Sequence, residues 1–220
     1  MIKQAASHKG HVSTIYSNKE IISILDTNLT TVPNELPDYV VFTDKDLYLA
    51  RQLELLGVPV FNSSAAITTS DDKIKTYQLL AKAKVPIPKT IFAPKTFGLP
   101  HAFDASYIDR IKETFGFPLI IKEAYGSFGE QVYLIKNEQQ LYEKVAEIAD
   151  RPFMFQQMIH SSHGKDLRLQ VVGDQVVTAM KRMNESDFRA NVTSGGTMQR
   201  YHPTDEEKQI AIKASQLIGA

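Results

Sequence analysis

Lys122 closes an apolar run, Phe117-Pro118-Leu119-Ile120-Ile121, and a small polar loop, Gly126-Ser127-Phe128-Gly129, follows soon after. An ammonium group at the end of such a run must reach solvent, find a partner or meet an anion, because an unpaired buried charge is costly. The loop is rich in backbone N–H groups, its glycines permit close approach, and Ser127 adds a hydroxyl donor. A segment of this kind can fold over phosphates as a flexible lid. It is not the familiar strand-to-helix phosphate loop, since Gly-Lys-Ser/Thr is absent and a second extended run, 132–135, follows it. An ordinary hairpin with a surface lysine reads the same way, so the stretch alone leaves both open.

A second polar group, Asp166, Arg168, Lys181, Arg182, Arg189 and Asn191, is confined to the next part of the chain. On an extended segment 167–172, Arg168 and Gln170 share one face and Leu167, Leu169 and Val171 the other. Arg182 ends the partner strand and can approach Arg168's side of the sheet. Arginines gathered on one face suit a multiply charged anion. The competing view is a solvated face balanced by Asp174, Glu185 and Asp187.

These residues need a layered α/β frame. Hydrophobic periodicity predicts a helix over 104–115, a strand over 118–123, the glycine loop, a strand over 131–135, a helix over 138–149 and a strand over 153–159. Strands 167–172 and 175–182 turn at Gly173-Asp174, and a helix over 205–218 opens with a capping box from Thr204 and Glu207. Ahead of them, a helix over 71–84, capped by Ser70 or Asp71, stops before Val85-Pro86-Ile87-Pro88, and residues 89–103 read as a linker between domains. The first third alternates short strands, 12–16, 39–42 and 58–61, with a helix over 46–56 that Gly57 ends. This order is that of an α/β protein. A further strand is expected ahead of His8-Lys9-Gly10, so the natural domain is expected to begin upstream of Met1.

Composition excludes several functions. Lysine plus arginine equals aspartate plus glutamate, 25 each, so no net positive field points to nucleic acid or to an anionic membrane. The absence of cysteine excludes disulfides, thiolate nucleophiles and thiolate metal sites. No signal peptide and no membrane-length apolar run is seen, and a cytoplasmic protein is expected. His8 with His11 and His160 with His163 have tolerable spacing but no third ligand, so no metal site is assigned. Ser127 has no His/Asp partner at a recognisable spacing for covalent hydrolysis. A homo-oligomer is compatible with all of this.

The ordered set Asp72-Lys73, Lys122 before Gly126-Ser127-Phe128-Gly129, Phe155-Gln156-Gln157-Met158-Ile159, Gly164-Lys165-Asp166-Leu167-Arg168, the Val172-Gly173-Asp174 turn, and Asp187-Phe188-Arg189-Ala190-Asn191 before Gly195-Gly196 resembles the ATP-grasp superfamily. Within it the chain is similar to the branch of the ribosomal protein S6 glutamate ligase and the lysine-biosynthesis carrier-protein ligases. The resemblance implies a partial ATP-grasp fold preceded by a small α/β domain: 1–88 before the linker 89–103, a lid subdomain over 104–160, and the start of the catalytic subdomain over 161–220. It implies an ATP-dependent carboxylate–amine ligase that works through an acyl phosphate and releases ADP and phosphate. The implied partners are a small-molecule or peptide carboxylate and an amine; the implied cofactors are ATP and Mg²⁺.

By the same resemblance, Lys73 and Lys122 contact ATP phosphates, Lys122 also lying near the adenine edge. Ser127 sits in the lid loop. The backbone of Gln156, Gln157, Met158 and Ile159 reads the adenine, and Asp166 meets the ribose. Arg189 and Asn191 match the Arg-x-Asn pair of the active site, and Arg168 and Arg182 stand beside the transferring phosphoryl and the acceptor carboxylate. Gln157 replaces the family's hinge glutamate, and Glu130-Gln131 replaces a second glycine pair. The family's magnesium ligands follow a helix like 205–218, so they are expected C-terminal to Ala220 and the isolated chain is expected to be inactive. A nucleotide-binding module without ligase chemistry stays open as the alternative.

Overall fold

The computed structural model describes residues 1–96 and 103–220, so part of the expected linker, 97–102, lies outside the described residues. Two compact units are formed, 1–68 and 69–219. The break falls within a helix.

The first unit opens with α1 (Ile2–His8). Residues 12–16 are not a strand: Val12 and Ile15 are 101% and 75% exposed, and β-branched side chains with no partner strand gain nothing from extension. The hairpin lies further on, where β1 (Ile22–Leu25) and β2 (Leu29–Val32) pair antiparallel across a turn in which the Asp26 carboxylate accepts from the Asn28 N–H. Next comes a parallel pair, β3 (Val40–Val41) and β4 (Val60–Phe61), joined through α2 (Leu47–Leu55), whose first turn is capped by Asp46. Leu49, Ala50, Leu53, Val58 and Val60 form its core, together with Ile67 of α3 (Ser64–Asp71), a helix the sequence reading missed.

In the second unit the expected helix 71–84 is shorter. Asp72, not Ser70 or Asp71, caps α4 (Lys73–Lys82) by accepting from the Ile74 and Lys75 N–H groups. A four-stranded sheet has the order β5-β8-β6-β7, from β5 (Thr90–Phe92), β6 (Leu119–Glu123), β7 (Val132–Ile135) and β8 (Phe153–Gln157). Two expectations change here. Residues 90–92 are a strand of this sheet rather than linker, because Thr90 to Phe92 pair with Gln156 to Met154. Strand 153–159 stops at Gln157.

Helices α5 (Ala105–Phe115) and α6 (Glu138–Ile148), capped by Asp104 and Asn137, cover one face of the sheet. Leu141, Val145 and Ile148 recur at helical spacing and meet Ile108, Ile111, Leu119, Ile121, Phe153 and Phe155 in one core. A second sheet, β11-β10-β9, is built from β9 (Lys165–Val172), β10 (Gln175–Met183) and β11 (Thr197–Arg200). The expected turn at Gly173-Asp174 joins β9 to β10, and α7 (Asp205–Ile218) begins with the Thr204/Glu207 capping box. As the alternation predicts, Leu167, Leu169 and Val171 face α7, around a cleft of about 530 Å³ that Ile210, Ala211 and Ala214 also line.

Phe155 is fully buried between the helices and the first sheet. Phe155→Ala is expected to cost about 3–5 kcal/mol of unfolding free energy. With no tryptophan in the chain, far-ultraviolet circular dichroism in urea is the suitable measurement.

Candidate active site

Pleat alternation on β6 sends Leu119, Ile121 and Glu123 to the helix-covered face and leaves Ile120 and Lys122 on the other. Lys122 lies opposite Met154, and Ile120 opposite Gln156. The half-buried Lys122 Nζ donates to the Tyr77 hydroxyl at 3.4 Å and sits 5.6 Å from the centre of the Tyr77 ring. That hydroxyl donates to Gln156 Oε1 at 3.4 Å, and Gln156 Nε2 donates to Thr90 Oγ1 at 2.9 Å. A polar chain therefore runs from α4 through β6 and β8 to β5, with Gln156 only 3% exposed. Lys122 is held by an aromatic face and a hydroxyl rather than by a carboxylate, which leaves its charge available to an anion.

The turn of chain at β6 is fixed from the opposite face. Glu123, 7% exposed, accepts from Arg151 Nη1 at 3.2 and 3.3 Å and from the Tyr133 hydroxyl at 2.7 Å. Burial, and then the bond to Glu123, pushes the Tyr133 hydroxyl up to about 12.

In the glycine loop, Gly126 and Gly129 have φ of +125° and +82°, in a region that side-chain-bearing residues avoid. Space is also lacking: a Cβ on Gly126 would run into the Gln131 side chain, and one on Gly129 would lie 2.8 Å from Asn191 Oδ1. Two cations hold the loop by its carbonyl groups. Lys73 Nζ donates to the oxygens of Ala124 and Gly126 at 3.3 and 3.1 Å, and Arg189 Nη1 donates to that of Gly129 at 2.8 Å. Ser127 is half-buried in this loop.

The rest of the Arg189 guanidinium grips Asp187, from Nε at 3.0 Å and Nη2 at 2.7 Å. Those bonds hold the Asp187 carboxyl below its ordinary value of 3.8, against the opposing effect of burial. A cleft of about 690 Å³ opens beside them, lined by Asp187, Arg189, Tyr133 and Lys144. Lys73, Lys122 and Gln156 do not line it, so it adjoins the site without containing it.

Thus the fold brings Lys73, Ser127, Arg189 and Asn191 together around one loop, and Lys122 together with Gln156. Asp166 and Arg182 form a separate pair across β9 and β10, Arg182 Nε lying 2.8 Å from Asp166 Oδ1. Arg168 is exposed on the same face, opposite Met180. The Gln157 N–H is used inside the sheet, donating to the Lys89 oxygen at 2.9 Å. Met158, 8% exposed, and Ile159, 37% exposed, lie beyond the strand end. Sequence reasoning missed Tyr77, although it follows Lys73 by one helical turn and so shares its face. It also missed the Glu123 cluster, which the alternation foretells by sending a carboxylate toward the core.

Two sheets with a glycine loop and basic residues beside it define an ATP-grasp protein. The solved RimK domain ATP-grasp protein of Sphaerobacter thermophilus has this fold, with a TM-score of 0.72 over 99% of this chain and 76% of that one, at 20% identity. The chain belongs to the RimK-like ATP-grasp family, whose domain model matches residues 70–220. An uncharacterized protein of Mycoplasma pneumoniae is 36% identical over 205 residues, which is 90% of this chain and 70% of the relative. A protein of Vibrio atlanticus named probable alpha-L-glutamate ligase is 32% identical over 238 residues, covering 99% of this chain and 74% of its own. The chain is accordingly an ATP-grasp ligase, of the class that forms amide bonds with ATP, and the alternative of a bare nucleotide-binding module is not favoured.

A carboxyl whose native value lies below its unfolded one stabilises the fold above the unfolded value, and that stabilisation is lost as pH falls through the native one. Wild type is therefore expected to melt above Asp187→Asn at neutral pH. The gap should close as pH drops below about 3.8, the ordinary carboxyl value, which melting curves across pH 2–7 would check.

Proposed function

We propose that this ligase activates a carboxylate with ATP and joins it to an amine, the carboxylate belonging to an acidic amino acid or to a peptide ending in glutamate. A carboxylate oxygen attacks the γ-phosphorus, the bond to the β-phosphate oxygen breaks and ADP leaves. The amine nitrogen then attacks the acyl carbon, the bond to phosphate oxygen breaks, inorganic phosphate leaves and the amine proton passes to solvent. Joining anions in this way is mainly a matter of positioning and charge stabilisation.

The observation that carries this reading is the convergence of Lys73 and Arg189 on the glycine loop, beside a Lys122 that has no carboxylate partner among the described residues. We assign Lys73, Lys122 and Ser127 to the phosphates, Gln156 to Ile159 to the adenine and Asp166 to the ribose. Arg189 and Asn191 go to the reacting groups, and Arg168 and Arg182 to the phosphoryl and acceptor carboxylate. Residues 104–160, with β5, then act as the lid, 161–220 as part of the catalytic subdomain, and 1–88 as the preceding domain. Glutamate as the acidic residue agrees with the name of the Vibrio relative.

Magnesium, when bound, would supply positive charge to offset that of the phosphates. Among the described residues no three His, Asp or Glu side chains gather to hold it, so no step here is routed through a metal. No helix among the described residues is long and apolar enough to cross a membrane; a cytoplasmic location is proposed from the need for ATP.

Lys122→Ala is expected to weaken a non-hydrolysable ATP analogue by about ten- to a hundredfold in calorimetric titration, the loss of one charge-assisted bond to phosphate. Unchanged affinity would remove Lys122 from the site. With the intact protein, ADP and phosphate should appear only when a carboxylate acceptor is present, as ion-exchange separation of nucleotides would reveal. AMP as product, or ADP release indifferent to every acceptor, would end the ligase reading.

A further inference from the structure

The three strands of the second sheet carry one more basic residue on the face that holds Asp166, Arg168 and Arg182. The β10–β11 register sets Arg200 opposite Met180, and the β9–β10 register sets Arg168 opposite the same Met180. Residues directly opposite in antiparallel strands share a face, so Arg168 and Arg200 flank Met180 from either side. The neighbouring residue confirms the direction. Tyr201 reaches the opposite, helix-covered side, where its hydroxyl donates to the Glu207 carboxylate of α7 at 3.1 Å.

Charge on this face is unbalanced. Asp166 is the single acid in the two rows and is already gripped by Arg182. Among the described residues, neither the Arg168 nor the Arg200 guanidinium has a hydrogen bond or an ion pair, and both are exposed. In a chain whose total charge is zero, two uncompensated guanidinium groups separated by one methionine form a local dicationic seat. Neighbouring strands lie about 4.8 Å apart, so next-but-one strands lie roughly 10 Å apart. Long arginine side chains can close that distance onto two carboxylates of one ligand. Guanidinium forks match carboxylates in pairs.

From this juxtaposition we infer that Arg200, with Arg168, forms a two-armed clamp for a substrate bearing two carboxylates, and that Arg200 sets the preference for an acidic acceptor over a neutral one. The inference rests on the ligase reading above and deepens it, by naming the residue that selects the substrate class.

α-Linked triglutamate, titrated calorimetrically into the full chain saturated with a non-hydrolysable ATP analogue, serves as the probe. Arg168→Gln and Arg200→Gln should each bind it about tenfold more weakly, the loss of one charge-assisted contact, and Arg200→Lys should recover part of the loss. Lys181→Gln, on the opposite face of β10, should bind as wild type does, which separates a clamp from a general loss of positive charge. Triglutamine should bind weakly and equally to all variants. Wild type failing to bind triglutamate, or Arg200→Gln binding it undiminished, would overturn the clamp. ADP release followed in parallel keeps the two readings apart. Turnover with an acidic acceptor that ignores Arg200→Gln sinks the clamp and leaves the ligase standing; Arg200-dependent binding with ADP release by the intact protein indifferent to every acceptor supports the clamp and sinks the ligase chemistry.

Discussion

Strict alternation along β6 is the constraint on which the candidate site depends. The five residues Leu119–Glu123 place three side chains in the core under α5 and α6 and two, Ile120 and the half-buried Lys122, on the other face, where Tyr77 of α4 also lies. A slip of one residue would exchange the two sets. Lys122 would enter the apolar core of Ile108, Ile111 and Phe155, and Leu119 and Ile121 would take the places of Lys122 and Ile120 beside Tyr77 and Gln156. The buried Glu123, answered by Arg151 and Tyr133, works against such a slip, because its partners exist on one side of the sheet only. The charge proposed for nucleotide is thus positioned by a carboxylate on the opposite face of the strand.

The same economy appears around the glycine loop. Arg189 holds Asp187 through two nitrogens and Gly129 through a third, while Lys73 holds Ala124 and Gly126. Groups that the resemblance gives to phosphates also shape the loop that would cover those phosphates. At Lys73 Nζ and Arg189 Nη1 an incoming phosphate would compete with backbone carbonyls, which are weaker acceptors than an anion. Arg189 differs, since Asp187 would continue to orient its fork whatever took the place of Gly129.

Much of the second unit was legible in the sequence because its signals are local and concordant. Capping at Thr204 and Glu207, helical spacing of Leu141, Val145 and Ile148, and period-two alternation on β9 all point the same way. The first unit was read poorly where strand propensity had no partner, as at 12–16, and where a helix as polar as Ser64–Asp71 has little apolar stripe. In the site, residue identities were legible and their pairings were not. That Arg182 meets Asp166, that Lys122 rests on Tyr77, and that Arg200 shares a face with Arg168 follow from register and helix phase, which sequence spacing does not supply.

The loop between β6 and β7 is fastened almost wholly by polar bonds, and its large side chains are already outside: Phe128 is 67% and Tyr125 49% exposed. Displacing it would break hydrogen bonds to Lys73 and Arg189 while uncovering little apolar surface. The heat capacity of such a movement is small, since heat-capacity change tracks apolar area brought into contact with water. Its equilibrium therefore varies smoothly with temperature, without the curvature that governs unfolding of the Phe153 and Phe155 core beneath it. Warming would then shift such an opening steadily in one direction, by the enthalpy of the bonds broken, with no temperature of greatest closure.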